Sequence, residues 1–512
     1  MHRAIPVAIV LGSLVVGGAE AKPTAASLGS PLTCESVQTI ALPDAKITTA
    51  TVVAAQGESG RAHCKVTGVI GKEIQFIALL PIEWNGKFFM GGGGGFVGSV
   101  ESQAAGEVNS GYAVGGTDTG HQGSGIEARW ALGHEDRLIN YGYLAVHRTT
   151  ETVKALITAY YGRAPERSYF MGCSNGGRQA LMEAQRYPED FDGIVAGAPA
   201  YDFTDIGISF VRNERALFPD PAKLTVPVLA PSVLQMVETK VLAACDAKDG
   251  VTDGVLGDPR ACDFKLSSIA PCPADQPGVA CLTRIQRTAL ETIYSPTRDA
   301  KGEIYPGQPF GGEGQPGSWH VWITGDPRAM QSLSPTMAPS AQWAFGTEIF
   351  KYFVFGDSTW TYANYDLARA RTDLAKTATL INADDPNLDR FTARGGRLLL
   401  WHGWADPALN ALATINYFNQ ATARRASLKD QVRLFLMPGV LHCAGGPGPD
   451  QVEWGKAIAD WVEQGKTPER LVAAKMGPGR TRTRTRPLCA YPRQAVWGGK
   501  GSTDDELQFS CQ

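Results

Sequence analysis

From residue 74 onward, apolar side chains come in short runs broken by turn residues. Residues 74–80 and 87–90 are dense in apolar side chains, and Trp84-Asn85-Gly86 separates them, which predicts two strands joined by a turn. A run of five glycines, 91–95, follows directly. Residues 111–114 form another short apolar run that closes in Gly115-Gly116-Thr117-Asp118. Over residues 138–161 the spacing becomes helical, and Gly162 supplies a stop. Residues 168–171 read as a strand that runs straight into Gly172-Cys173-Ser174-Asn175-Gly176-Gly177. A helix is predicted over 178–187 and a strand over 194–196, and strands return at 397–401 and 433–437. Such alternation of strand and helix predicts an α/β fold around a parallel sheet.

The pattern lapses between residues 201 and 385. That stretch holds four cysteines, many prolines and glycines, and an aromatic-rich segment from Trp343 to Tyr365. It is expected to be an insertion, with 22–200 and 386–512 together forming one discontinuous α/β domain. Residues 1–21 read as an export signal: Arg3 precedes an apolar stretch over 4–18, and Ala19-Glu20-Ala21 is a cleavage site. The expectation is a secreted or periplasmic protein. No other apolar stretch reaches the ~20 residues of a membrane span.

Composition narrows the partners. With 43% hydrophobic and 19% charged residues the 512-residue chain can build a large core, and a net charge of -3 leaves no polyelectrolyte signature for nucleic acid. The run 480–486, alternating Arg and Thr, is expected to be a solvated strand face rather than a nucleic-acid arm. Ten cysteines, none spaced C-x-x-C, are expected to be oxidised in an exported chain and do not suggest zinc.

The chemistry centres on Gly172-Cys173-Ser174-Asn175-Gly176, a G-x-S-x-G placed between a strand and a helix as a nucleophile elbow requires. A serine hydroxyl needs a base, and the base needs an orienting acid. Downstream, Asp406 follows the strand 397–401 and His442 follows the strand 433–437, the acid-then-histidine order of this elbow. His402 is a rival base, but it precedes the acid. His121, His134 and His147 lie upstream of the serine and are assigned to packing or capping. Backbone N–H groups of Asn175 and of a glycine in 91–95 would form the oxyanion hole.

Three further features compete or add. Gly93, Gly95 and Gly98 spell G-x-G-x-x-G with Asp118 downstream, the mark of a dinucleotide-binding oxidoreductase, although no convincing helix opens at Gly98. A lectin-like binding protein is a third reading, and it leaves serine, acid and histidine unexplained. The loop 245–255 gathers Asp246, Asp249, Asp253, Gly250 and Gly254, a composition suited to a hard cation but without EF-hand spacing.

Together, Cys173-Ser174, Asp406 and His442-Cys443 resemble the Cys-Ser, Asp and His-Cys arrangement of the tannase and feruloyl esterase family, which includes mono(2-hydroxyethyl) terephthalate hydrolases. The resemblance runs from about Cys34 to Cys511. It implies an α/β-hydrolase fold with a large inserted lid over 201–385. Ser174 would be the nucleophile, His442 the base and Asp406 the acid, with Gly94 and Asn175 as oxyanion donors. It also implies a structural calcium ion in the lid, held by Asp246, Asp249 and Asp253 side chains and the carbonyls of Val251 and Val255. A Cys173–Cys443 disulfide belongs to the same pattern, and cysteine spacing adds Cys34–Cys64, Cys245–Cys262, Cys272–Cys281 and Cys489–Cys511. The substrate would be an aromatic ester, small or polysaccharide-linked. Feruloyl (hydroxycinnamoyl) esters come first, galloyl esters second and terephthalate monoesters third. Lid aromatics Trp319, Trp322, Trp343, Phe345, Phe350, Tyr352 and Phe353 suit a flat acyl group, and Arg328 is a candidate partner for a free carboxylate.

Overall fold

A computed structural model describes residues 32–57, 60–326 and 338–512. The export segment expected at 1–21 and Arg328 lie outside these residues. Nine strands form one sheet: β1 (Ala45–Val53), β2 (His63–Ile70), β3 (Ile74–Pro81), β4 (Lys87–Gly91), β5 (Ala113–Thr117), β6 (Arg167–Cys173), β7 (Gly193–Gly197), β8 (Arg397–Gly403) and β9 (Val432–Met437). Their order is β1-β2-β3-β5-β4-β6-β7-β8-β9. The β1–β2, β2–β3 and β3–β5 pairs are antiparallel, and every pair from β5–β4 to β8–β9 is parallel. This is the α/β-hydrolase arrangement of a mixed sheet with helices on both faces.

The parallel strands are apolar on both sides because both faces are covered. Phe170, Ile194, Leu398 and Leu400 face one core, which also takes side chains of helix α1 (Ala145–Tyr161), α2 (Asn175–Arg186) and α5 (Ala411–Arg424). Tyr169, Val195, Leu399 and Phe435 face the other core with α6 (Trp454–Gln464). Between β7 and β8 the chain adds no strand to this sheet among the described residues. It builds helices, among them α3 (Phe203–Leu217) and α4 (Ala341–Glu348), around a third core that includes Phe210, Trp319, Phe345 and Phe350.

Two local outcomes differ from the periodicity. The helix predicted over 138–161 is interrupted by a π-helical turn, Asn140–Leu144. Gly142 lies there against another segment, where a Cβ would fall 2.3 Å from the Leu380 carbonyl oxygen. The run 480–486 does enter a strand, Arg482–Cys489, but not with a purely solvated face. Arg484 and Arg486 both reach Asp253 Oδ2, at 3.3 and 2.6 Å.

Candidate active site

Ser174 sits at the junction of β6 and α2 with φ 65° and ψ −126°. A serine held there is strained, and the surroundings must enforce it. Its N–H donates to the Gly197 carbonyl at 3.0 Å. The Gln103 side chain clamps the preceding residue: Oε1 accepts from Cys173 N–H at 2.7 Å and Nε2 donates to the Cys173 carbonyl at 3.3 Å. At Gly172 a Cβ would lie 2.5 Å from the Gly176 backbone, so the turn closes only over glycine.

Asp406 follows β8 and is fully buried, and His442 follows β9. His442 Nδ1 donates to Asp406 Oδ2 at 2.8 Å. The other carboxylate oxygen, Oδ1, accepts from the N–H groups of Ala408 and Leu409 at 2.8 and 3.0 Å. Burial alone would raise the pKa of Asp406. The charges and hydrogen bonds of His442 and His402 outweigh it and hold the carboxyl well below its usual range.

His402, the rival base, supports the same acid. It is buried, its Nε2 lies 3.2 Å from Asp406 Oδ2 and 3.2 Å from the Leu409 carbonyl, and its Nδ1 is 2.8 Å from Thr414 Oγ1. These partners assign the proton to Nε2 and leave Nδ1 as acceptor. His121 stacks on Trp130 at 3.6 Å and meets the Phe96 carbonyl, a packing role; burial lowers its pKa to about 4.

Ser174 and His442 line one cavity together with Gly95, Asn175, Phe203, Ile206, Phe210, Trp322, Phe345, Ile349 and Leu409. A Cys173–Cys443 disulfide, with Cα atoms 5.9 Å apart, joins the residue before the serine to the residue after the histidine. The other bridges are Cys34–Cys64, Cys245–Cys262, Cys272–Cys281 and Cys489–Cys511.

The glycine run resolves by residue. Gly94 does not offer its N–H to the cavity, because it donates to Glu101 Oε2 at 3.1 Å; Gly93 likewise donates to Gln179 Oε1 at 3.0 Å. Gly95 lines the cavity instead. Its φ is +52°, a Cβ there would meet the Gly125 carbonyl at 2.1 Å, and its N–H has no acceptor among the described residues. Asn175 opens α2, so its N–H has no partner within the helix.

Behind these donors lies a buried network absent from the sequence reading. Asn175 Oδ1 accepts from Tyr141 Oη at 3.1 Å and from Arg178 Nε at 2.8 Å, while Tyr141 Oη is also 3.1 Å from the Gly95 carbonyl. Arg178 is fully buried and spends its other donors on the carbonyls of Tyr141, Gly142 and Ile381. The π-turn exposes the first two carbonyls to it. The sequence signal was slight: an arginine on the elbow helix, three residues after Asn175.

Of the seven lid aromatics that suit a flat acyl group, two line the cavity. Trp322 meets His442 edge to face at 4.8 Å and stacks with Phe345. Trp319 and Phe350 are buried in the inserted segment's own core, Phe350 against Trp360 and Tyr365, and Phe353 packs on Phe96 and Trp130. Asp118, the residue expected to touch a ribose, accepts from the N–H groups of Gln75 and Gly120 and caps a turn.

The loop expected to hold calcium offers carboxylate and carbonyl oxygens. Asp246 accepts from the N–H groups of Asp253 and Gly254, Asp249 accepts from Val251 N–H, and Asp253 pairs with Arg484 and Arg486. Burial, then the charges of Asp253 and Asp246, raise the pKa of Asp249. Asp249, Val251, Asp253 and Val255 line a common cavity. Hard oxygens crowded in this way fit a calcium ion, although the two arginines already offset part of the charge.

The chain matches the model of the family described as tannase and feruloyl esterase over residues 60–512. The chain belongs to the tannase and feruloyl esterase family. An uncharacterized esterase of Xanthomonas campestris pv. campestris is 35% identical, over 95% of this chain and 94% of the relative. The mono(2-hydroxyethyl) terephthalate hydrolase of Piscinibacter sakaiensis is 31% identical, over 88% and 84%. The solved feruloyl esterase B of Aspergillus oryzae superposes with a TM-score of 0.82 at 26% identity, covering 94% of this chain and 99% of that one. This family member is therefore a carboxylic ester hydrolase, and the oxidoreductase and lectin readings fall. Among the described residues no helix is long and apolar enough to cross a membrane.

Proposed function

We propose that this esterase hydrolyses hydroxycinnamoyl esters through Ser174, His442 and Asp406. The observation that carries the reading is the Asp406–His442 pair facing Ser174 across an apolar cavity walled by Trp322 and Phe345. His442 Nδ1 is occupied by Asp406, so Nε2 takes the serine proton as Oγ attacks the ester carbonyl. The negative charge on the tetrahedral oxygen is met by the N–H groups of Gly95 and Asn175. The protonated imidazole then protonates the departing alkoxide, and water activated by the same nitrogen releases the acid. Residues 201–385 act as the lid that supplies the acyl wall. The leader at 1–21 exports the chain to the oxidising compartment that its five disulfides require.

No arginine or lysine lines the cavity among the described residues. The aromatic walls of Trp322 and Phe345 suit a flat phenolic ring. Initial rates on methyl ferulate, methyl gallate and a terephthalate monoester should rank in that order by kcat/KM. Terephthalate monoester ranking first would overturn the acyl assignment while leaving the esterase chemistry intact. Trp322→Ala should lower kcat/KM on methyl ferulate by about 10-fold, as expected when a flat ring loses one aromatic wall.

Calcium is assigned to Asp246, Asp249, Asp253 and the carbonyls of Val251 and Val255, where it would neutralise the crowded carboxylates and steady the lid. Removing it with a chelator should lower Tm and leave kcat of the folded enzyme nearly unchanged. Elemental analysis of the purified protein finding no calcium, with Tm insensitive to chelator, would refute the site.

A further inference from the structure

Away from the cavity, His147 on α1, Glu183 on α2 and Asp190 just before β7 bring one ligand atom each within 4.8 Å of one another. Glu183 is 1% exposed, and its Oε2 has no hydrogen-bond partner. A buried carboxylate oxygen left bare is costly, so the site calls for a positive occupant. Lys154 contributes charge nearby but no hydrogen bond to this oxygen: its Nζ donates to the backbone carbonyl of Asp190 and lies 5.3 Å from the Phe191 ring centroid. His147 Nδ1 is 2.7 Å from Asp190 Oδ2, and its ring is held flat against Tyr187, centroids 3.8 Å apart. The imidazole is thus oriented before any ion arrives. Glu151, one turn along α1, lies on the other ring nitrogen at 3.5 Å and is largely exposed, which leaves the site open to solvent on that side.

We propose that His147, Glu183 and Asp190 bind a divalent transition-metal ion of the zinc class. One imidazole nitrogen and two carboxylates, completed by water, form a donor set that zinc accepts and that calcium, which prefers oxygen alone, does not. Ligand atoms on one tetrahedral zinc stand about 3.4 Å apart, which side-chain rotation alone can reach from the present spacing. The ion displaces the proton between His147 Nδ1 and Asp190 Oδ2. It ties α1 to α2, the helix that begins directly after Ser174, so its effect is on the stability of that pair and not on a chemical step.

The test dialyses metal-free full-length enzyme against zinc chloride, with calcium present to occupy hard-oxygen sites. Wild type should retain one equivalent of zinc and gain in Tm. Glu183→Gln keeps shape and hydrogen-bonding capacity, and it should bind zinc at least ~10-fold more weakly and lose the Tm gain. Should that variant fail to fold, Asp190→Asn examined by the visible absorption of bound cobalt(II) serves the same purpose: the wild-type tetrahedral spectrum should be absent. Wild type that retains no zinc, or variants that retain it fully, would overturn the proposal. A proton shared by Glu183 and Asp190 would then be the occupant.

Discussion

Ser174→Ala should lower kcat on any ester the enzyme accepts by about four to six orders of magnitude, with little change in Tm. The alanine keeps the Cα geometry of the elbow, and nothing that Gln103, Gly197 or the disulfide holds depends on the hydroxyl. What goes is the serine oxygen, in the cavity that His442, Gly95 and Asn175 also line. Asp406→Asn should be nearly as severe, about 10⁴-fold, because an amide presents an N–H where His442 Nδ1 needs an acceptor and so imposes the wrong tautomer. It should also disturb His402, which shares the same carboxylate oxygen. Near-normal turnover by a folded Ser174→Ala protein would end the serine mechanism.

Removing the Cys173–Cys443 bridge, as the Cys173→Ala, Cys443→Ala double variant, should cost far more activity than removing Cys489–Cys511. The bridge spans 270 residues, and closing such a loop is worth about 5.5 kcal/mol by chain entropy. By the same arithmetic the 22-residue Cys489–Cys511 loop is worth only about 3.4 kcal/mol, so the comparison must be made at a temperature where both variants are folded. The difference then lies in preorganisation. The serine and the histidine come from opposite sides of the inserted segment, and proton transfer needs them within about 3 Å. A covalent tie one residue from each limits their relative motion. Equal kcat in the two double variants would reduce this bridge to a staple.

Strand-end chemistry was legible in the sequence because short motifs report their own position: an elbow must follow a strand, and Asp406 and His442 each followed an apolar run. Partners fixed by long-range contact were not. Gln103 lies 70 residues from Cys173, and nothing in its neighbours marks it. Within 91–95 the residues are chemically identical, so only the fold tells that Glu101 engages Gly94 and leaves Gly95 free. Trp322 and Phe345 could not be sorted from five other aromatics, since a ring that lines a cavity and one that fills a core look alike in sequence. The strands β1 and β2 escaped notice for a related reason: β1 is an edge strand with largely exposed side chains, so its apolar signal is weak. Arg484 and Arg486 were read as solvated because alternation shows which residues share a face, not what that face meets.

The segment between β7 and β8 leaves and returns at a single point. Ala383 N–H donates to the Tyr201 carbonyl at 2.7 Å, so residues 202–382 begin and end side by side. For the sheet, this large excursion is a closed loop whose ends are already pinned. Its entropic cost grows only with the logarithm of length, so doubling it would cost about 0.6 kcal/mol. Length can therefore change in that segment with little entropic penalty transmitted to β7 and β8. The part of the molecule that brings Trp322 and Phe345 to the cavity is free to change in length at a pace the strands bearing the serine, acid and histidine cannot follow.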